Sequence, residues 1–121
     1  MAETLIATQA MQAPFADVAA GGIDFVFSAA DNVNGNYYVC TGREILLMNN
    51  PSGGALTVTI TSADDAFNRS EDITDYSLAA GDFAYFTGGL TTQRGWMTSG
   101  TRNIVVTASS ADVDFAVLQL P

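Results

Sequence analysis

Alternation of apolar and polar positions dominates this chain, and it favours strands. Leu56, Val58 and Ile60 alternate with Thr57, Thr59 and Thr61, the period-2 pattern of a strand with one buried face. The three aliphatic residues are expected to face the core and the threonines solvent. Ile23, Phe25 and Phe27 alternate with Asp24 and Val26 and read as a second strand. Tyr37–Cys40 is an aromatic and β-branched run, and Ile45–Met48 is continuously apolar, which predicts burial on both faces. Between Ile45–Met48 and the threonine strand lies Asn49-Asn50-Pro51-Ser52-Gly53-Gly54, the strongest turn signal in the chain. An antiparallel hairpin over residues 44–62 is therefore predicted.

Further strands are expected at Ile73–Leu78, Phe83–Phe86, Ile104–Thr107 and Val113–Leu120, with a short one opening at Trp96-Met97. Ala79–Asp82 and Ala108–Ala111 read as turns. No window sustains a 3.6-residue period. The pattern predicts an all-β, single-domain antiparallel β-sandwich, jelly-roll or immunoglobulin-like, with about eight short strands. Its core should contain Phe25, Phe27, Leu47, Leu56, Val58, Ile60, Phe83, Val105, Phe115 and Val117.

Residues 1–22 stand apart. They are rich in Ala and Gln, Pro14 interrupts any helix, and Gly21-Gly22 ends the segment. Two readings stand side by side: an N-terminal arm leading into a sandwich domain of residues 23–121, or an edge strand packed on its own domain. Leu5, Ile6, Met11 and Phe15 are apolar and have no place in the alternation. On the arm reading they are the candidate contacts to another protein surface.

Composition narrows the chemistry. The 121 residues and 12.7 kDa suit one domain. Thirteen acids face four bases, all arginines, for a net charge of −9, and histidine is absent. Ser-His-Asp and Cys-His catalysis therefore lack their base. A phosphate-neutralising surface lacks cations, which argues against a nucleic-acid partner and a basic membrane-surface helix. No apolar run approaches the ~18 residues of a spanning helix, and the start of the chain lacks a secretory pattern. The lone Cys40 reads as a small buried hydrophobe, with an interchain disulfide as the alternative.

Three constellations bear on chemistry. Asp64, Asp65, Glu71, Asp72 and Asp75 have residue types that suit a hard cation, but their spacing is not that of a calcium loop. A solvated acidic loop that keeps the protein soluble accounts for them without a metal and is the preferred reading. Tyr37, Tyr38, Phe67, Tyr85 and Trp96 could stack on sugar rings, yet aromatics in strands usually serve the core. No carboxylate pair stands out for acid–base work. An enzyme is not expected, and no cofactor or metal is implied.

One longer string carries a resemblance. Asn34-Gly35-Asn36 is followed by Gly42-Arg43, Leu46, Asn49-Asn50, Gly53-Gly54 and Leu56-Thr57-Val58-Thr59-Ile60. Then come Leu78-Ala79-Ala80-Gly81-Asp82, an aromatic strand, and a Val-rich strand over residues 112–120. In this order the motifs resemble the capsid decoration (cement) or auxiliary head proteins of tailed bacteriophages, over residues 34–120. Each motif alone is ordinary turn-and-strand chemistry; the order carries the likeness. The resemblance implies a structural protein on the outer surface of the virion, met in the host cytoplasm during assembly. Its partner would be the major capsid protein, and it would self-associate as a trimer. Leu5, Ile6, Met11 and Phe15 would then touch shell or neighbour. The alternative is a carbohydrate-binding or adhesion module of a phage tail or fibre.

Overall fold

A computed structural model describes residues 3–12, 23–62, 72–87 and 103–121. Ten strands follow in chain order: β1 (Thr4–Leu5), β2 (Thr8–Ala10), β3 (Ser28–Ala29), β4 (Asn36–Val39), β5 (Glu44–Asn49), β6 (Leu56–Thr61), β7 (Ile73–Leu78), β8 (Phe83–Phe86), β9 (Asn103–Ala108) and β10 (Asp114–Gln119). The described residues contain no helix. One sheet has the order β1-β4-β9-β6-β7; the other has β2-β10-β5-β8, with β3 also on β10. The all-β sandwich expected from the alternation is therefore present. The strand expected at Trp96-Met97 lies outside the described residues.

Strand pairing identifies the type of sandwich. β3 pairs with β10, β4 with β9, β5 with β8 and β6 with β7, all antiparallel. The chain is one long ribbon: β3–β6 run out and β7–β10 run back. The ribbon is rolled so that β10 also meets β5 and β9 also meets β6. This is jelly-roll connectivity. The sheets are mixed rather than wholly antiparallel, because β1 and β2 pair in parallel with β4 and β10.

Rolling overturns the hairpin expected over residues 44–62. β5 and β6 belong to different sheets. The turn between them crosses the sandwich, a gap of about 10 Å that a tight hairpin turn could not span. Asn50 fixes that crossing. It is fully buried, and its Nδ2 donates to the carbonyls of Gly54 and Leu78, both at 2.8 Å. Its Oδ1 accepts from the Ser52 amide at 3.1 Å and hydroxyl at 2.7 Å. Its backbone is tied to the 79–82 turn by Asn50 N to Asp82 O and Gly81 N to Asn50 O. Gly81 takes a φ of 78° there, the left-handed region that favours glycine. A buried amide with every hydrogen-bonding group in use is stable where an unpaired one would be costly.

Register on β6 is as expected: Val58 and Ile60 are buried, Leu56 packs against the core and the threonines face out. Phe115 and Val117 are buried too. Five expected core residues are not. Leu47 and Val105 are half-buried and point outward, while Leu46, Met48, Ile104 and Val106 on either side of them point in. Burial on β5 thus alternates rather than covering both faces equally. Phe25 and Phe83 are exposed, and Phe27 is half-buried. Residues 24–27 are not a strand; ladder pairing starts only at Ser28. Their alternation is real, but it serves the outside of the sandwich.

Candidate interaction surface

The outer face of the β2-β10-β5-β8 sheet follows from its register. Ala116, Leu47 and Tyr85 lie side by side on β10, β5 and β8. Leu118 pairs with Ile45, and Asn49 with Phe83. This face is apolar, unlike the usual solvent side of a sandwich. Ala116 is only 1% exposed although it points away from the core cluster, so chain lies over it.

The described segment that reaches this face is Ile23–Phe27. The Gln9 carboxamide holds it like a peptide group in a ladder: Nε2 donates to Val26 O at 2.8 Å and Oε1 accepts from Val26 N at 2.9 Å. The Phe27 ring sits 6.3 Å from Phe83, and Phe25 packs edge-on to Phe27 at 5.4 Å. These separations are those of favourable aromatic pairs. Large apolar surface nonetheless remains in water. Phe83 is 69% and Tyr85 71% exposed, and Ile23, Phe25 and Val26 are also exposed. An exposed aromatic cluster of this kind marks an interaction surface more often than an ordinary solvated face.

Beside it the sandwich opens. β7 and β8 are the free-standing edges of their sheets in the described pairing. Between them lies a cavity of about 400 Å³ lined by core residues such as Met48, Val58 and Ile60 and rimmed by Tyr76, Phe83 and Tyr85. Tyr76 shares a face with Val58, yet it is half exposed.

The arm candidates separate. Ile6 is 3% exposed and belongs to the core cluster, so it contacts the chain's own interior. Leu5 pairs with Tyr37 and Met11 donates its N–H to Gln119 O, and both side chains are exposed. Phe15 lies outside the described residues. So do Asp64, Asp65 and Glu71 of the acidic loop, and Phe67 and Trp96 of the aromatic set. The described acids of that loop act locally. Asp72 accepts from the Ser62 amide and hydroxyl. Asp75, at a φ of 51° beside a β-bulge, donates its N–H to Thr59 Oγ1 at 3.0 Å. Tyr38 is a core residue and Tyr37 is half-buried.

Two carboxylates are structural. Glu44 is fully buried at the start of β5. Its carboxylate accepts from the Thr41 amide and hydroxyl, the Arg43 amide and Gln119 Nε2. Burial pushes its pKa up, but these hydrogen bonds outweigh burial and hold it below the usual carboxylate range. Asp31 is lowered to about 2, first by the Thr4 hydroxyl at 2.6 Å and then by the Asn34 amide and side chain. Cys40 is buried, as a small core hydrophobe should be. Burial pushes the neighbouring Tyr38 phenol up. Among the described residues, no group of three or more His, Cys, Asp or Glu could hold a metal ion.

Sequence reasoning missed this surface. Phe83 reads as core, and Tyr85 stands among aromatics that could stack on sugars but that in strands usually serve the core. The usable signal was apolar character at both parities in β5 and β10, which requires something to cover the outer face. Comparison of the chain with known protein families, characterised proteins and solved structures finds no match.

Proposed function

We propose that this chain is a structural adhesive of a bacteriophage virion, a decoration protein that binds the outside of the capsid shell and cements neighbouring capsomers. The observation that supports it best is the cluster of exposed Phe83, Tyr85 and Phe25 around half-buried Phe27 on a small jelly roll. Two motifs that carry the resemblance also meet in space: Asn50 clamps the Gly53-Gly54 turn to the Leu78–Asp82 turn. A cement protein needs a rigid body and an adhesive face. Its overall hold comes from many copies on one shell, each binding modestly.

The test is sedimentation of shells lacking this protein with the purified chain. Saturable binding at a fixed ratio to the major capsid protein is expected. Replacing Phe83 and Tyr85 together with Ser should weaken binding at least about tenfold, the loss of ~1.4 kcal/mol or more. Absence of co-sedimentation would remove the reading.

Tyr85 and Phe83 beside the cavity also favour a second reading, a carbohydrate-binding module. Glycan binding that the same double substitution abolishes, with no shell binding, would select it.

A further inference from the structure

Residues 3–12 form a strap across one open side of the sandwich. β1 lies at the edge of one sheet and β2 at the edge of the other. Where the chain crosses between them, Ile6 drops into the core at 3% exposure. The strap is held by short parallel ladders: Thr4 and Leu5 against Asn36 and Tyr37, then Thr8–Ala10 against Val117–Gln119. Thr4 N donates to Gly35 O at 2.9 Å, Ile6 N to Tyr37 O at 2.8 Å and Met11 N to Gln119 O at 2.8 Å. The Asn36 side chain donates to Thr4 O. Gly35, at a φ of 83°, turns the chain beside the strap; a Cβ there would press on Thr107 Cγ2 at 3.0 Å, while Glu3 Cγ at 3.6 Å is in ordinary contact.

We infer that this strap is exchangeable, and that its seat on β4 and β10 accepts the same residues from a second copy of this chain. Three observations carry the inference. First, the ribbon β3–β10 completes all six of its antiparallel pairings without the strap, so the seat exists whichever chain fills it. Second, the strap's hydrogen-bond partners lie at Val26, Asp31, Gly35–Tyr37 and Val117–Gln119, all beyond residue 22, so a strap from another chain meets the same partners. Third, the chain has slack. β2 ends opposite Gln119 and β3 begins opposite Phe115, on the same edge of β10. Four positions of a strand span about 14 Å. The twelve residues between Ala10 and Ile23 reach about 40 Å when extended, more than the roughly 35 Å breadth of a domain this size. Exchange keeps every contact of the closed monomer and adds a covalently continuous link between copies, the usual basis of strand swapping. Leu5 and Met11, exposed in the monomer, would flank that link. The inference does not rest on the capsid reading; copies in solution suffice.

Mixed cysteine labelling tests it on the full chain, with buried Cys40 left in place. One population carries Leu5→Cys and a differently tagged one carries Tyr37→Cys, partners in the parallel register. The two are mixed at high concentration, unfolded and refolded together, then oxidised. A mixed-tag disulfide dimer is expected, at least about tenfold above a control pairing Leu5→Cys with Ser77→Cys on the far edge strand β7. No mixed dimer above that control would overturn the inference, provided a double variant carrying Leu5→Cys and Tyr37→Cys closes its own intrachain bond. If the cysteine variants fold poorly, unsubstituted chain gives the same answer. In mixed ¹³C-labelled and unlabelled samples, isotope-filtered contacts from Ile6 methyls to the other population are expected, and purely intrachain contacts refute it. Shell binding that persists without exchange would leave the capsid reading standing while removing this one.

Discussion

The two outer faces of the sandwich are made by the same kind of strand and behave in opposite ways. On the β1-β4-β9-β6-β7 sheet, Thr59 faces Thr107, Thr57 faces Ser77 and Thr61 faces Val105. That face is mostly hydroxyl-bearing and needs no cover. On the β2-β10-β5-β8 sheet, the equivalent positions are Ile45, Leu47, Ala116, Leu118 and Tyr85. There the Ile23–Phe27 segment is drawn over the sheet, pinned by Gln9 and by the Phe27–Phe83 ring contact. The difference shows that alternation predicts solvent exposure only when the off-core residues are polar. Where they are apolar, a strand acquires a second, thinner packing layer, and the edge of that layer becomes adhesive surface.

Placing the same charge on each face should separate the two most. Ala116→Asp buries a carboxylate without a partner and should cost on the order of 3 kcal/mol or more. Thr61→Asp, on the exposed end of β6, should change stability by less than about 1 kcal/mol. Denaturant midpoints of the two variants decide it, and equal losses would mean that Ala116 is not covered.

Glu44→Gln comes next. Its carboxylate receives four hydrogen bonds from donors only. An amide in its place turns one NH₂ towards those donors, at a cost of about 2 kcal/mol. This tests whether the second sheet is anchored at its base by a carboxylate rather than by packing alone, since Gln119 on β10 is one of the donors.

Gln9→Ala removes the two bonds to Val26 and should destabilise by only about 1 kcal/mol. The informative readout is local: faster amide exchange at Val26 and greater exposure of the Phe27 ring, with the threonine face unchanged. Unchanged protection at Val26 would show that the cover is held by the rings alone.

The smallest effects concern pH and salt. Asp31 and Glu44 are both lowered relative to their ordinary values. Groups with depressed folded pKa values stabilise the fold above their unfolded pKa values, and that stability is lost as pH falls through the folded ones. Stability should thus be flat from neutral pH to about 5 and decline from about 4 towards 2. A decline beginning above pH 6 would contradict the assignment. If the acids face solvent and the aromatic face makes the contact, shell binding should strengthen slightly with moderate salt. Screening over a Debye length of ~8–10 Å relieves repulsion between copies of net charge −9. A steep loss of occupancy with salt would point instead to acids paired with basic shell residues.

Periodicity alone determined the class of fold, the positions of β4 to β10 to within a residue or two, and the inward face of β6. Those follow from contacts between neighbours in sequence and from the strict two-residue period of a strand. Tertiary structure alone decided that β5 and β6 lie in different sheets, because whether a turn folds back or crosses depends on distant residues, here Leu78, Gly81 and Asp82, which pin Asn50. It also decided that Ile6 is core while Phe25 and Phe83 are surface. An apolar side chain is equally well placed by its own pattern on either side of a sheet. Which side is covered, and by what, is chosen by chain that arrives from elsewhere in the fold.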